Sequence, residues 1–395
     1  MSSPASPVPV EVLALGEVML RLDPGEGRIA TTRSFGVVEG GGEYNAVRAL
    51  STTFGHRAGL VSAFVDDPVG HLAAGLVRAS GVDLSRVRWA GADSGARTGL
   101  NFVERGFGVR GALGVSDRAG SAASRMVPGD VDWDVALDGV AHLHTGGVFA
   151  GLSESTTALA EEALRAARRL GVGTSYDVNH RPSLWRSRGG AAAAREVDLR
   201  LAGLADVVLG ALQLLDPSAP DPHFRRTVRQ GPPSTAHSPR KVREGAGGEL
   251  QAPEQVGQVL AGLGQGWAGL TGQDQDGGRA PLLVSSWRRV VSAGVNDWGA
   301  AAWSPATGVV IGPRLDGVAV LDRIGSGDAL TAGVLDGVLD ARQAGAPLDA
   351  PALGEALALG VAAGALTMTT PGDTCAATLA EVRVLAAGGT AHVVR

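Results

Sequence analysis

The sequence is poor in several features, and each shortage narrows the function. A single cysteine, Cys375, among 395 residues excludes an intrachain disulfide and a Cys-based zinc cage. Aromatic residues make up only 4% of the chain, so Ala, Leu and Val must supply the core. With a formal net charge of -5 and no dense basic run, the chain does not read as a general nucleic-acid or membrane-surface binder, and an anionic substrate would need a local basic pocket. No apolar run reads as membrane-spanning, and Met1 to Pro9 lacks a basic region followed by a hydrophobic signal core, so the expected location is cytoplasmic. The eight histidines show no metal-ligand spacing, and His142 and His144, alternating on a strand, read as structural. No G-x-x-x-x-G-K-[ST] loop occurs, which sets aside a P-loop nucleotide site.

Glycine, by contrast, is abundant: 59 residues, which suits a loop-rich enzyme. Short apolar runs at Glu11 to Gly16, Gly59 to Phe64, Ala141 to His144, Gly173 to Asp177 and Ala205 to Leu209 alternate with helical patterns at Asn45 to Phe54 and Ser153 to Leu170. That rhythm predicts a mostly parallel sheet covered by helices on both faces, with ligands outside the strands' carboxyl ends. Residues 17–40 and 96–125 break the rhythm and are expected to form a small accessory sheet closing over a site. Residues 1–10 read as a disordered tail and 217–279 as an irregular insertion. Within that insertion the only helical candidate is Gln255 to Leu263, and Arg240-Lys241-Val242-Arg243 reads as a solvated face.

Four short stretches could carry chemistry. In Asp322-Arg323-Ile324-Gly325-Ser326-Gly327-Asp328, the glycines would bring backbone N–H groups to a helix start that favours phosphate, and Asp328 could take a proton from a substrate hydroxyl. A capped helix start would look the same. Glu39-Gly40-Gly41-Gly42-Glu43-Tyr44-Asn45 precedes another helix, where Gly41, Gly42 and Asn45 could hold a polyhydroxylated ligand or simply form a turn and a cap. Asp177-Val178-Asn179-His180-Arg181 follows a strand; Asn179 could reach a phosphate and Arg181 a carboxylate, or the stretch could be an Asx-type turn. Arg118 is a second candidate anion contact. Thr370-Pro371-Gly372-Asp373 could return Asp373 to the site or could merely end a helix.

In this order the Gly-Gly-x-x-x-Asn helix start, the Asp-x-Asn-x-Arg strand exit and the late Gly-Ser-Gly-Asp turn resemble the PfkB/ribokinase family of carbohydrate kinases. Within it the chain looks most like the 2-keto-3-deoxygluconate kinases, through Gly16 to Leu22, Arg118 with Gly120-Ser121-Ala122, Asp177 to Arg181 with Leu184-Trp185, Asn296 to Gly299, and Pro371-Gly372-Asp373. The resemblance implies an α/β fold, ribokinase-like and three-layer α/β/α, with a mostly parallel sheet and a small β lid, in one kinase domain over 11–395. It implies ATP-dependent phosphorylation of a sugar acid with Mg2+, the alternatives being a fructokinase or another sugar kinase of the family, or a weakly active sugar-binding protein on the same fold. The roles it implies are Asp328 as base, Gly325, Ser326 and Gly327 as anion hole, and Asn179 with Gly325 and Gly327 on the nucleotide. Gly41, Gly42, Asn45, Arg118, Arg181 and Asp373 would hold the substrate, with a homo-oligomer through the lid as a further option. Two departures stand out: Asn101 and Ser116 replace pocket tyrosines, and Ala211 and Leu214 occupy the positions of an Asn-x-x-Glu element that helps organise Mg2+.

Overall fold

The run Val12–Leu15 has too few residues for a helix and is buried throughout, and it becomes the first of a set of central strands. A computed structural model describes residues 10–215, 252–271 and 280–389 of the chain. Its first third holds β1 (Val12–Leu15), β2 (Met19–Asp23), β3 (Gly36–Gly40), α1 (Gly42–Thr52), β4 (Ala58–Val65), α2 (Pro68–Ala79), β5 (Val87–Ala90), β6 (Gly99–Glu104) and β7 (Leu113–Asp117). There follow α3 (Trp133–Ala136), β8 (His142–Gly146), α4 (Gly147–Ala150), α5 (Glu154–Arg169), β9 (Gly173–Asp177), α6 (Pro182–Trp185), α7 (Gly190–Ala202) and β10 (Val207–Leu209). The last part comprises α8 (Pro253–Gln265), α9 (Trp267–Thr271), β11 (Leu282–Ser292), β12 (Val295–Ser304), β13 (Gly308–Ala319), α10 (Ser326–Gln343), α11 (Ala350–Thr367) and α12 (Leu379–Ala386).

Nine strands form one sheet in the order β13-β12-β11-β10-β9-β8-β1-β4-β5. From β11 to β5 every neighbouring pair is parallel, and β12 and β13 are added antiparallel at the edge. The alternation of a strand decides which layer each side chain joins. Val12 and Ala14 enter the core shared with α1, α2, α10, α11 and α12, whereas Leu13 and Leu15 enter the one shared with α3, α5, α7, α8 and α9. The result is the three-layer α/β/α arrangement of a ribokinase-like fold. A second sheet, β3-β2-β6-β7, is built from the two stretches that break the alternation.

Three expectations need correction. The segment read as an irregular insertion contains helix α8, whose Val256, Leu260 and Leu263 lie in the core together with Trp267 of α9. The helical candidate Gln255 to Leu263 is thus present, and what the reading as an insertion missed is its apolar face at i, i+4 and i+7, packed in the core, with Gly264 leaving the space of its Cβ to the Trp303 ring. The rest of that insertion, including the basic cluster at 240–243, lies outside the described residues, as do residues 1–9 of the expected tail; Val10, assigned to the tail, is buried. Finally, one helix among the described residues, Ala350–Thr367, is long and apolar enough to cross a membrane by length and composition, with a hydropathy of 1.4. In the fold it is a core helix packed on α10, because its small residues let two helices approach closely. His142 and His144 do stay inside the sheet, sharing Ser175 Oγ at 2.9 and 2.8 Å; burial pushes them down to about 3 and about 4, so both are neutral.

Candidate active site

The parallel strands β1, β8, β9 and β10 all end at one edge of the sheet, and α1 and α10 begin there. Gly325, the N-cap of α10, has φ 80, a left-handed value that favours glycine, and a Cβ on it would collide with the carbonyl oxygen of Asp373. The turn before it is tied locally: Ser326 Oγ donates to the Arg323 carbonyl at 3.0 Å, and Ile324 N donates to Asp322 Oδ1 at 3.2 Å. No side chain caps α10, so the first-turn N–H groups remain for an anion at the positive end of the helix. A Cβ on Gly327 would meet nothing within 4 Å, so the turn is open on that side.

Helix α1 starts in the same way. Gly41 precedes it in extended conformation with no side-chain cap, and the Glu17 carbonyl leaves no space for a Cβ. The Asn45 side chain, one turn in, joins the two helix starts: its Oδ1 accepts from Gly41 N at 3.2 Å and its Nδ2 donates to Asp328 Oδ2 at 2.7 Å. In this structure both polar atoms of Asn45 are therefore engaged, and it holds Asp328 rather than pointing free toward a ligand. A Cβ on Gly42 would lie 3.1 Å from Asn179 Nδ2 and 3.9 Å from Asp328 Oδ1, which brings the strand exit after β9 to the same place. Asn179 has φ 32, the one non-glycine residue with positive φ among those described.

Three carboxyls face one another here. Burial pushes Asp328 up to about 8, reinforced by the charges of Asp177 and Glu43 and opposed by the Asn45 hydrogen bond and the Arg181 charge. Burial likewise pushes Glu43 up to about 7 and Asp177 up to about 6. Glu43 Oε1 accepts from Phe149 N at 3.0 Å, while its Oε2 is buried without a partner among the described residues. A carboxyl poised near neutrality beside uncapped N–H groups suits a general base. Glu43 went unread in the sequence because its motif was taken for its glycines. Its signal was a charge placed on the buried side of a helix start.

The arginines differ in their engagement. Arg181, exposed ahead of α6, makes one long bond to its neighbour's carbonyl, His180 O at 3.4 Å, and its charge acts on both Asp177 and Asp328. Arg118 is instead paired with Glu17, Nε donating to Oε2 at 2.8 Å with Nη2 on the same oxygen, and Ser121 Oγ holds the other oxygen of that carboxylate. It reaches the cluster through its charge on Glu43. Asp373 lies against Gly40 and pairs with Arg21, a buried guanidinium on β2 that also grips Asp322 and, at 2.9 Å, Asp23. Burial pulls Arg21 down, but Asp373 and Asp322 more than reverse it and leave it above its ordinary value. Asn101 and Ser116 turn out to be cross-strand partners on β6 and β7, with Ser116 Oγ 3.1 Å from Asn101 Oδ1.

Ala211 and Leu214 are both buried in a short turn after β10 and offer no polar atom there. Gln213 of the same turn donates nothing to that gap; its Oε1 accepts from His180 N at 2.8 Å. Asp177 Oδ1 and Gln213 Nε2 both border Gly210, each 3.2 Å from where its Cβ would be. Asp177 is thus, with Asp328 and Glu43, one of three buried carboxyls at this end of the sheet, the oxygen donors a hard cation prefers.

An open helix start with a carboxyl beside it and cationic side chains around it is a place for a phosphate-bearing group to meet a hydroxyl. No family model matches the chain. A 2-dehydro-3-deoxygalactonokinase of Haloferax volcanii is 33% identical over 215 residues, covering 53% of this chain and 65% of its own length. A 2-dehydro-3-deoxygluconokinase of Thermoproteus tenax is 34% identical over 178 residues, 45% of this chain and 52% of its own length. The chain thus spans about one half to two thirds of these curated relatives. The solved structure of 2-dehydro-3-deoxygluconokinase from Thermotoga maritima aligns over 96% of this chain and 98% of its own, with TM-score 0.76 and 25% identity. The chain is thus similar, in sequence over part of its length and in fold over nearly all of it, to 2-dehydro-3-deoxy sugar-acid kinases.

Proposed function

We propose that this protein is an ATP-dependent sugar-acid kinase that phosphorylates 2-keto-3-deoxygluconate at its primary hydroxyl to give the 6-phosphate. The observation that carries the reading is Asp328, held by Asn45 in the uncapped first turn of α10 within the charge of Arg181. The names of the relatives and the two arginines at the strand ends favour a carboxylated sugar over a neutral one. Asp328 takes the hydroxyl proton as the sugar oxygen bonds to the γ-phosphorus and the bond to the ADP oxygen breaks. The N–H groups at Gly325, Ser326 and Gly327 stabilise charge on the transferring group, and Asn179 assists on the phosphate side. Gly41 and Gly42 let the sugar approach the backbone of α1, Asp373 binds a further hydroxyl, and Arg181 meets the carboxylate. Arg118 joins it by exchanging Glu17 for the substrate. Asp177 would help hold Mg2+, which when bound would neutralise nucleotide charge. The four-stranded sheet is read as a lid over a single catalytic domain, its exposed Val37, Leu113 and Val115 offering a surface for pairing with a second copy. A cytoplasmic location follows from the need for ATP.

ADP release measured with 2-keto-3-deoxygluconate, its galactonate epimer, fructose and ribose tests the proposal, with Asp328→Asn as the control. Turnover of the sugar acids, abolished in the variant, is expected; binding without turnover would favour a weakly active sugar-binding protein, a second reading motivated by the buried Ala211 and Leu214. Arg181→Ala should raise KM for the sugar acid at least tenfold and leave kcat closer to the parent. An unchanged KM, or a preference for fructose indifferent to that substitution, would remove the carboxylate role.

A further inference from the structure

Away from the candidate site, where α1 ends against the second half of α10, a second group of side chains converges. Chain leaving α1 turns through Thr53 to Gly55 and places His56 against α10, with its side chain 8% exposed. On one side His56 Nδ1 lies 3.3 Å from Glu11 Oε2, and on the other Nε2 lies 2.9 Å from Asp336 Oδ1. Asp340 sits one helical turn beyond Asp336, on the same face of α10. One ligand atom from each of His56, Asp336 and Asp340 lies within 4.8 Å of the others.

We propose that His56, Asp336 and Asp340 form a binding site for a divalent transition-metal ion, with Glu11 orienting the imidazole. Three features support it beyond the proximity of the acids. First, the donors are mixed, one imidazole nitrogen and two carboxylate oxygens, a set suited to Zn2+, Mn2+ or Co2+ with water completing the coordination. Second, the far ring nitrogen is already engaged by a carboxylate, the outer arrangement that fixes the tautomer and aims Nε2 at a metal. Glu11 is itself held in place by Arg57, whose Nη2 donates to Oε1 at 3.2 Å and whose backbone N donates to Oε2 at 3.2 Å. Third, Asp340 is exposed and its carboxylate makes no hydrogen bond or ion pair with the described residues, so it can turn to a metal without losing a protein partner.

The ion would bolt the exit of α1 to the middle of α10, so that the two helices meeting at Asn45 and Asp328 are also joined behind. Its function is structural: it would stiffen the pair without touching substrate, and binding does not depend on kinase activity.

The experiment takes the full chain, strips it with chelator, and adds Zn2+, Mn2+ or Co2+ alone in the absence of nucleotide. One equivalent bound by calorimetry, a rise of several degrees in Tm, and a visible Co2+ absorption band are expected. Asp340→Asn should leave the metal-free Tm unchanged, because that carboxylate has no partner to lose, and should weaken binding by about 10-fold or more; Glu11→Gln should weaken it by about 10- to 100-fold. His56→Gln should abolish both binding and the Co2+ band. If His56→Gln does not fold, Asp340→Asn carries the test. Failure to bind any of the three ions, or the same binding in Asp340→Asn as in the parent, would overturn the proposal.

Discussion

Helices α10 and α11 are each 18 residues long and lie packed against one another, yet they begin in opposite ways. Helix α11 starts with Asp349, whose side chain accepts from Ala352 N at 2.9 Å, and has a proline in its first turn. Helix α10 starts with Gly325, has no cap, and puts a buried carboxyl in its first turn. The first start satisfies its own backbone and adds stability. The second leaves the same N–H groups unsatisfied and keeps a carboxyl where water would serve it better, which makes it useful to an anionic ligand. The capped helix supports the uncapped one: Gly333 of α10 and Gly360 of α11 touch backbone to backbone, and Gly364 lies against the Ser326 carbonyl at the start of α10.

Substitutions that exchange the properties of the two starts would test this contrast. The largest effect is expected from Asp328→Asn, which should lower kcat/KM by roughly 10²–10⁴-fold while stabilising the fold. The sign follows from the proton balance. Asp328 binds its proton up to about pH 8 in the folded chain, against an ordinary value of 3.8, so between those limits the folded state holds more protons and stability falls as pH rises. Asparagine carries no such penalty. Thermal melts should show the variant ahead of the parent by a few degrees at pH 8 and level with it near pH 4; equal melting at both pH values would mean the carboxyl is not buried as described.

Gly333→Val should come next. Its side chain would have to enter the Gly360 backbone, forcing the helices apart at a cost of about 1–3 kcal/mol. Because α11 supports the start of α10, kcat should fall along with Tm. A variant that loses stability and keeps full kcat would separate the two. The smallest effect is expected from Asp349→Ala, a lost cap costing about 1 kcal/mol, or about 1–3 °C in a chain of this size. Its kcat should equal the parent's, and a changed kcat would deny that the α11 start is merely structural.

The alternation of short apolar runs with helical patterns was legible in the sequence because the central parallel strands, β1, β4, β8, β9 and β10, are buried on both faces, unlike β5 at the edge. The Gly-Ser-Gly-Asp turn by itself reads equally as a capped helix start, and it stood out only through its order with Asn45, Asn179, Arg181 and Asp373. Asn45 was found as a polar group at a helix start, but its bond to Asp328 was not, since 283 residues separate them. Arg21 was quoted only as part of a motif; its partners Asp322 and Asp373 lie 301 and 352 residues away, and the one local signal is a charge in an otherwise apolar strand. Helix α8 was legible over Gln255 to Leu263, but its place in the core was not, since Gly264 makes room for the ring of Trp303 about forty residues further on. Legibility failed wherever the meaning of a residue lay in a distant partner.

The grip of Arg21 also has a mechanical consequence. It holds β2, an inner strand of the four-stranded sheet, to the turn before α10 and to the loop carrying Asp373, while β7 at the sheet's edge is exposed along its whole length. That sheet is therefore fastened at its root and not at its rim, and loss of Arg21 would detach it from the turn before α10 and from the Asp373 loop together.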